Sequence, residues 1–259
     1  MRVKKLSWKD AAWWKKLILL LICVVLVSGF VEVIQQQRVR AQIKSTGHSC
    51  GIESIPFDEM QIEGLMEKDQ VLFTNGAKPG QDIVITKWIG LEGTSIIASG
   101  KEKALRGHYS QDFVDRAKGF IQYISVVDEA MAAREFGVSA MHDITEGGVF
   151  GALWEVAAAS GVGLAVELKK IPLKQETVEI CEFFDLNPYQ LISSGSMLIA
   201  CDKGHDLVEY LAKKNIHSAV VGKFTDNNDK IIIYDVDETR YLEPPKTDEL
   251  YKVNFLEDM

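Results

Sequence analysis

From Met60 onward the chain switches repeatedly between two hydrophobic periods. "MQIEGLMEKDQVLF" predicts one or two short strands, and "NGAKPGQ" is a turn cluster with Gly76, Pro79 and Gly80. A β-rich run covers Asp82 to Ile89, and "LEGTSIIASGKEKAL" then reads as a helix opening near Gly93 and Thr94. Over residues 110–124, Phe113, Ala117 and Phe120 fall on one helical face. Ser125 and Asp128 have capping-box spacing at the head of "VVDEAMAAREFG", and Gly137 is placed to stop that helix. "SAMHD" reads as a strand end. Beyond it, Val149, Leu153 and Val156 recur at helical spacing, as do Phe150, Trp154 and Ala157, until Gly161. "GLAVEL" alternates, "ETVEICEFF" is a short helix closed by "DLNP", and "SMLIAC" is a strand. "HDLVEYLAKKN" is an amphipathic helix with Leu207, Tyr210 and Leu211 inward. "SAVVGKF" and "KIIIYDV" are strands joined by "TDNNDK". The alternation predicts an α+β fold, a mixed β-sheet with helices packed on it.

The beginning of the chain follows another pattern. Residues 1–44 are basic and then apolar, with no charge from Leu17 to Val31, a run of 15 residues. A membrane-spanning helix needs about 20. Three readings fit: a signal-anchor helix over residues 17–34 with Trp13 and Trp14 at the interface, a cleaved signal peptide, or an aberrant gene start. The first would place a hydrophobic helix, and a membrane contact, ahead of the fold. Residues 45–75 begin as a linker and lead into the main domain over residues 76–252, and residues 253–259 read as an acidic tail.

Composition narrows the class. The 259 residues are 47% hydrophobic and 25% charged, with a formal net charge of −8. Beyond the first fifty residues no dense basic run occurs, which argues against nucleic acid as a partner. Cys23, Cys50, Cys181 and Cys201 form no C-x-x-C pair. Cys181 and Cys201 sit in apolar contexts and read as buried thiols of a reducing, cytoplasmic compartment.

The chemistry gathers at glycine-bearing joints. In "SAMHDITEGGVFGALWE", Asp143 or Thr145 is placed to cap a helix starting near Gly147 and Gly148. A helix start leaves N–H groups free and attracts anions, and glycine lets a phosphate approach the backbone. Asp143 would hold a divalent cation on that phosphate. The same residues also serve as an ordinary cap and a close-packing pair. His142 beside this strand reads as a packed or hydrogen-bonded ring. "LISSGSMLIA" sets Ser194 and Gly195 before a buried strand, lining either a pocket or an ordinary turn. "TKWIGLEGTSIIA" places Gly93 and Thr94 at a third joint, without the spacing and lysine of a phosphate-binding P-loop.

Together, "GAKPGQDIVITKWIGLEGTSIIA", "VSAMHDITEGGVFGALWEVAAASGVGLAVE" and "LISSGSMLIA" resemble the C-terminal domain of the aminoimidazole ribonucleotide (AIR) synthase-related superfamily. The similarity is strongest to the branch of the hydrogenase-maturation carbamoyl dehydratase, and runs from about Met60 to about Lys252. It implies ATP and magnesium as cofactors, and phosphorylation of an oxygen on a small molecule or a protein terminus. It implies that Asp143, Thr145, Gly147 and Gly148 match a D-x-T-x-G-G motif lining the nucleotide or substrate-phosphate cleft. Gly93, Thr94, Ser194 and Gly195 would border that cleft. Family members carry an N-terminal domain that supplies most ATP contacts and makes a homodimer; here a remnant near Ile62 to Phe73 matches its final strand. The chain ends in "FLEDM", without the terminal cysteine of the hydrogenase-maturation member. The expectation is therefore an ATP- and magnesium-dependent enzyme of this family that lacks most of the ATP-binding domain and is either active or inactive alone, with a non-catalytic phosphate- or nucleotide-binding or interaction module, free or membrane-tethered, as the alternative.

Overall fold

The computed structural model describes residues 71–255. The basic and apolar segment 1–44, the linker up to residue 70 and most of the expected remnant strand lie outside the described residues. Of that remnant, Val71 to Phe73 is irregular and runs into a 3-10 turn at Thr74–Gly76. Among the described residues no helix is long and apolar enough to cross a membrane.

Seven strands form one mixed sheet: β1 (Asp82–Thr86), β2 (Ala140–Ile144), β3 (Gly163–Glu167), β4 (Ser196–Cys201), β5 (Ser218–Thr225), β6 (Lys230–Asp235) and β7 (Glu238–Tyr241). Their order is β2-β4-β1-β5-β3-β6-β7, with β3 and β6 parallel and the other neighbours antiparallel. The helices are α1 (Leu91–Gly100), α2 (Glu102–Arg106), α3 (Gln111–Lys118), α4 (Val127–Phe136), α5 (Gly148–Ser160), α6 (Gln175–Phe183) and α7 (Gly204–Lys213). The α+β class read from the sequence holds.

β1 and β4 are buried along their whole length, because helices cover both faces of the sheet there. Ile83, Ile85, Leu198 and Ala200 pack with Val149, Leu153 and Val156 of α5. Val84, Ile199 and Cys201 pack on the opposite face with Ala132 and Ala133 of α4 and Leu207 and Leu211 of α7. A third cluster joins Ile97 of α1, Leu105 of α2, Val114 of α3 and Ile180 of α6. Cys181 and Cys201 are free and buried, and burial pushes their thiols up to about 12 and about 11. They are too protonated at neutral pH to act as nucleophiles.

Several local expectations change. Strands β5 and β6 are joined by residues 226–229 yet do not pair, because β3 lies between them. Gly163 makes this route possible: a Cβ there would stand 2.3 Å from Asn227 Oδ1. α1 opens at Leu91, after a left-handed Gly90, two residues ahead of the expected Gly93. Ser125 does not cap α4; the cap position is Val126 and no side chain bonds it. Of the expected acidic tail, Val253 is buried in the third cluster and Phe255 packs beside it, and residues 256–259 lie outside the described residues.

Asp82 links the sheet to α7 by accepting the Gly204 N–H at 2.9 Å, and pairs with Lys223. Burial pushes its carboxyl up, but Lys223 and the Gly204 N–H outweigh this and hold it below the ordinary aspartate range. A carboxylate with a depressed folded pKa contributes fully above its unfolded pKa and loses that contribution as pH falls through the folded value. Lys223 is largely exposed and adds little; the buried cap carries most of the effect. Replacing Asp82 with Asn is expected to cost about 1–2 kcal/mol at neutral pH. It should also flatten the acid limb of a plot of urea midpoint against pH, and an unchanged acid limb would contradict this assignment.

Candidate functional site

The register brings the ends of four strands together. Thr86 at the end of β1 faces Ser218 at the start of β5, and Ile144 at the end of β2 faces Ser196 at the start of β4. The three glycine joints therefore meet at one end of the sheet. The loop from Tyr189 to Ser193 runs between them and binds each by its backbone. Ser193, fully buried, accepts the Gly90 N–H at 2.6 Å and donates its hydroxyl to the Leu191 carbonyl at 3.0 Å. The Gly93 N–H reaches the Ile192 carbonyl at 3.1 Å, and the Ser193 N–H reaches the Thr145 carbonyl at 3.3 Å.

These contacts explain the glycines. A Cβ on Gly93 would lie 2.4 Å from Leu191 Cγ, and one on Gly148 would lie 2.6 Å from the Tyr189 carbonyl oxygen. Gly147, Gly148 and Gly195 also hold φ values of 81°, 62° and 110°, which side-chain-bearing residues rarely adopt. Thr94 is fully buried and donates to Thr177 Oγ1 at 2.9 Å. Gly93 and Thr94 thus face the interior, where α1 packs closely on the Leu191 loop. Gly147, Gly148 and Gly195 are likewise buried. Asp143 and Thr145 are exposed and Ser194 is half-buried, so these side chains mark the accessible side of the hub.

The cap of α5 also differs from expectation. Neither Asp143 nor Thr145 caps it; Gly147 occupies the cap position without a side chain of its own. The Gly147 N–H is bound at 2.7 Å by Asp248 Oδ2, from 101 residues further along the chain. The other Asp248 oxygen accepts from Ile192 N–H at 3.2 Å and from Leu250 N–H at 2.9 Å. Asp248 is 2% exposed. The negative charge that a helix start attracts is therefore the protein's own carboxylate. Nearby, the charge of Glu146 pushes the Tyr251 hydroxyl up, which again sets the tail beside this joint.

Sequence reasoning missed Asp248. The Asp-Glu pair ahead of Leu250 carries a local capping signal, and Asp248 does cap the 3-10 turn Glu249–Lys252. Its bond to Gly147 has no local signature. His142 behaves as expected of a hydrogen-bonded ring, with Nε2 2.8 Å from Glu155 and Nδ1 3.1 Å from Thr74 Oγ1. Beyond the hub, a cavity of about 420 Å³ lies between α3 and the start of α6. The Arg116 guanidinium on its wall is held by Glu176 at 2.8 Å and by Asp112, so its charge is already compensated.

Among the described residues no group of three or more His, Cys, Asp or Glu stands together as a metal site.

A mixed sheet with helices on both faces and glycine-lined joints at one end defines an α+β domain built around close backbone contacts. The family profile described as AIR synthase related protein, C-terminal domain, matches residues 78–235, and the chain belongs to this family. A hydrogenase expression/formation protein of Methanocaldococcus jannaschii is 23% identical over 232 residues, covering 88% of this chain and 67% of that protein. The carbamoyl dehydratase HypE of Rhodobacter capsulatus is 29% identical over 136 residues, covering 52% of this chain and 38% of that protein. A crystal structure of the hydrogenase maturation protein HypE in complex with ATP aligns with TM-score 0.53 at 17% identity, covering 71% of this chain and 56% of that one, and so shares the fold. The matched region spans from 38% to 67% of the length of these relatives.

Asp248 carries the integrity of the hub. Replacing it with Ala leaves the N–H groups of Gly147 and Ile192 buried without their acceptor, and is expected to cost roughly 2–4 kcal/mol in urea unfolding. A loss below about 0.5 kcal/mol would mean that water satisfies those groups equally well.

Proposed function

We propose that this chain contributes the C-terminal domain of an ATP- and magnesium-dependent enzyme that activates an oxygen by phosphorylation. The observation that carries the reading is the convergence of the three joints, with Asp143, Thr145 and Ser194 left on the accessible side. Family membership and a relative solved with ATP support it. Phosphoryl transfer needs positioning and charge neutralisation more than a protein nucleophile. The Thr145 and Ser194 hydroxyls would donate to phosphate oxygens, and Asp143 would bind magnesium carried by the phosphates. Magnesium there would neutralise charge developing on the transferred group. The substrate is a small molecule or a protein terminus. Hydrogenase maturation is the process that its relatives' names suggest.

A second reading has its own support. Asp248 already satisfies the Gly147 N–H, so a phosphate arriving at α5 meets a carboxylate rather than a free donor. That favours an interaction module without turnover over phosphate binding at the α5 start.

Calorimetric titration of the full chain with ATP, with and without magnesium, tests the first reading. Binding that strengthens with magnesium is expected. Asp143→Asn should reduce the magnesium-dependent part by about tenfold, or 1.4 kcal/mol, while leaving the urea midpoint unchanged. Absence of binding at millimolar ATP would defeat the nucleotide assignment. Binding without hydrolysis in the presence of every candidate acceptor would favour the module.

Gly148→Ala separates packing from chemistry. The added methyl has no room against the Tyr189 and Leu191 carbonyls, so a stability loss of about 2–4 kcal/mol is expected whether or not nucleotide is present. A stable variant in this test would show that the α5 start can part from the loop and admit a ligand.

A further inference from the structure

Lys87 follows the last residue of β1 and holds a left-handed backbone, with φ 53°. Few residues other than glycine adopt this conformation without a compensating constraint. Here the constraint is visible. The Lys87 N–H donates to the His217 carbonyl at 2.7 Å, and the Lys87 carbonyl accepts from His217 Nδ1 at 3.2 Å. The Lys87 ammonium donates to the Ser125 carbonyl at 2.6 Å and pairs with Glu129 Oε1 at 2.9 Å. Both side chains are almost wholly buried, 10% and 6% exposed. The second oxygen, Glu129 Oε2, is buried with no hydrogen-bond partner among the described residues.

Stability alone explains this arrangement poorly. A buried ion pair with an unsatisfied oxygen recovers its desolvation cost incompletely, and apolar residues of similar size commonly replace such pairs without loss. What the pair does achieve is local. It ties the backbone of Tyr123 to Ser125 onto the end of β1, and that backbone lies directly against the Ser194 turn. A Cβ on Gly195 would stand 2.7 Å from the Tyr123 carbonyl oxygen and 3.1 Å from Ile124 Cα. On the other side of the turn, Ser196 Oγ donates to the carbonyl of Trp88, the residue after Lys87, at 2.9 Å.

We propose that Lys87 and Glu129 are positioning residues that lock Tyr123–Ser125 against Gly195 and thereby hold the Ser194 hydroxyl at the phosphate-binding rim. The inference rests on the reading of Ser194 given under the proposed function. Its structural half, the locking of the turn, stands or falls without nucleotide.

The test compares the full-length wild type with Lys87→Met/Glu129→Leu, which keeps volume and removes both charges, and with Glu129→Gln. Each protein is followed by urea unfolding, by hydrogen exchange at the amides of Ser193, Ser196 and Met197, and by titration with magnesium ATP. These amides are hydrogen-bonded in the turn, to the carbonyls of Thr145 and Ser193 and to Thr86 Oγ1. In the double variant the urea midpoint should stay near that of the wild type. Exchange at the three amides should rise about tenfold while amides of β3 and β6 stay unchanged, and magnesium ATP should bind about tenfold more weakly. A stable double variant with unchanged exchange at the turn overturns the proposal, as does looser exchange with unaltered nucleotide affinity. Should the double variant fail to fold, Glu129→Gln is read by the same criteria, and unchanged exchange there also overturns it. If the wild type binds no nucleotide, the proposed function fails, and the exchange data still decide whether the clamp exists.

Discussion

Everything at the end of the sheet where the three joints meet depends on one steric constraint. The loop from Tyr189 to Gly195 passes so near three other backbones that Gly93, Gly148 and Gly195 have no room for a Cβ. With those glycines, the loop's carbonyls reach the start of α1, and Ser193 ties both the β1–α1 and the β2–α5 joints. The result is a closely packed hub. Side chains projecting from its rim, Asp143, Thr145 and Ser194, are what a ligand would meet.

The hub also answers an electrostatic demand. The start of α5 offers free N–H groups and a partial positive charge, and glycine at the cap position provides no acceptor. The chain resolves this by bringing Asp248 back from its far end. Because the same carboxylate also binds Ile192, the tail, the loop and the helix become one unit. Burying this carboxylate is tolerable because several N–H groups surround it. Lys87 and Glu129 do a related job on the other flank with less complete compensation, which is why that pair reads as a device for holding the turn.

Within the AIR synthase-related family this geometry suggests a division of labour. The domain supplies a rigid rim with hydroxyls and a carboxylate. It offers no metal cluster among its described residues and no available thiol, since both buried cysteines are held protonated.

Much of the architecture was readable from local pattern. The β-rich run through Ile83, Val84 and Ile85 marked a strand, the repeat from Val149 to Ala157 marked α5, and left-handed glycines at 137 and 161 ended helices where expected. Period and stop signals are properties of neighbouring residues, so a linear reading captures them, and the ordered glycine joints pointed to the family on the same basis. Other features were decided by the tertiary structure alone. The insertion of β3 between β5 and β6, the burial of Thr94 and the seating of Asp248 on Gly147 each join residues far apart in sequence. Local pattern states that a helix start needs an acceptor; which distant group supplies it follows from how the chain packs in three dimensions.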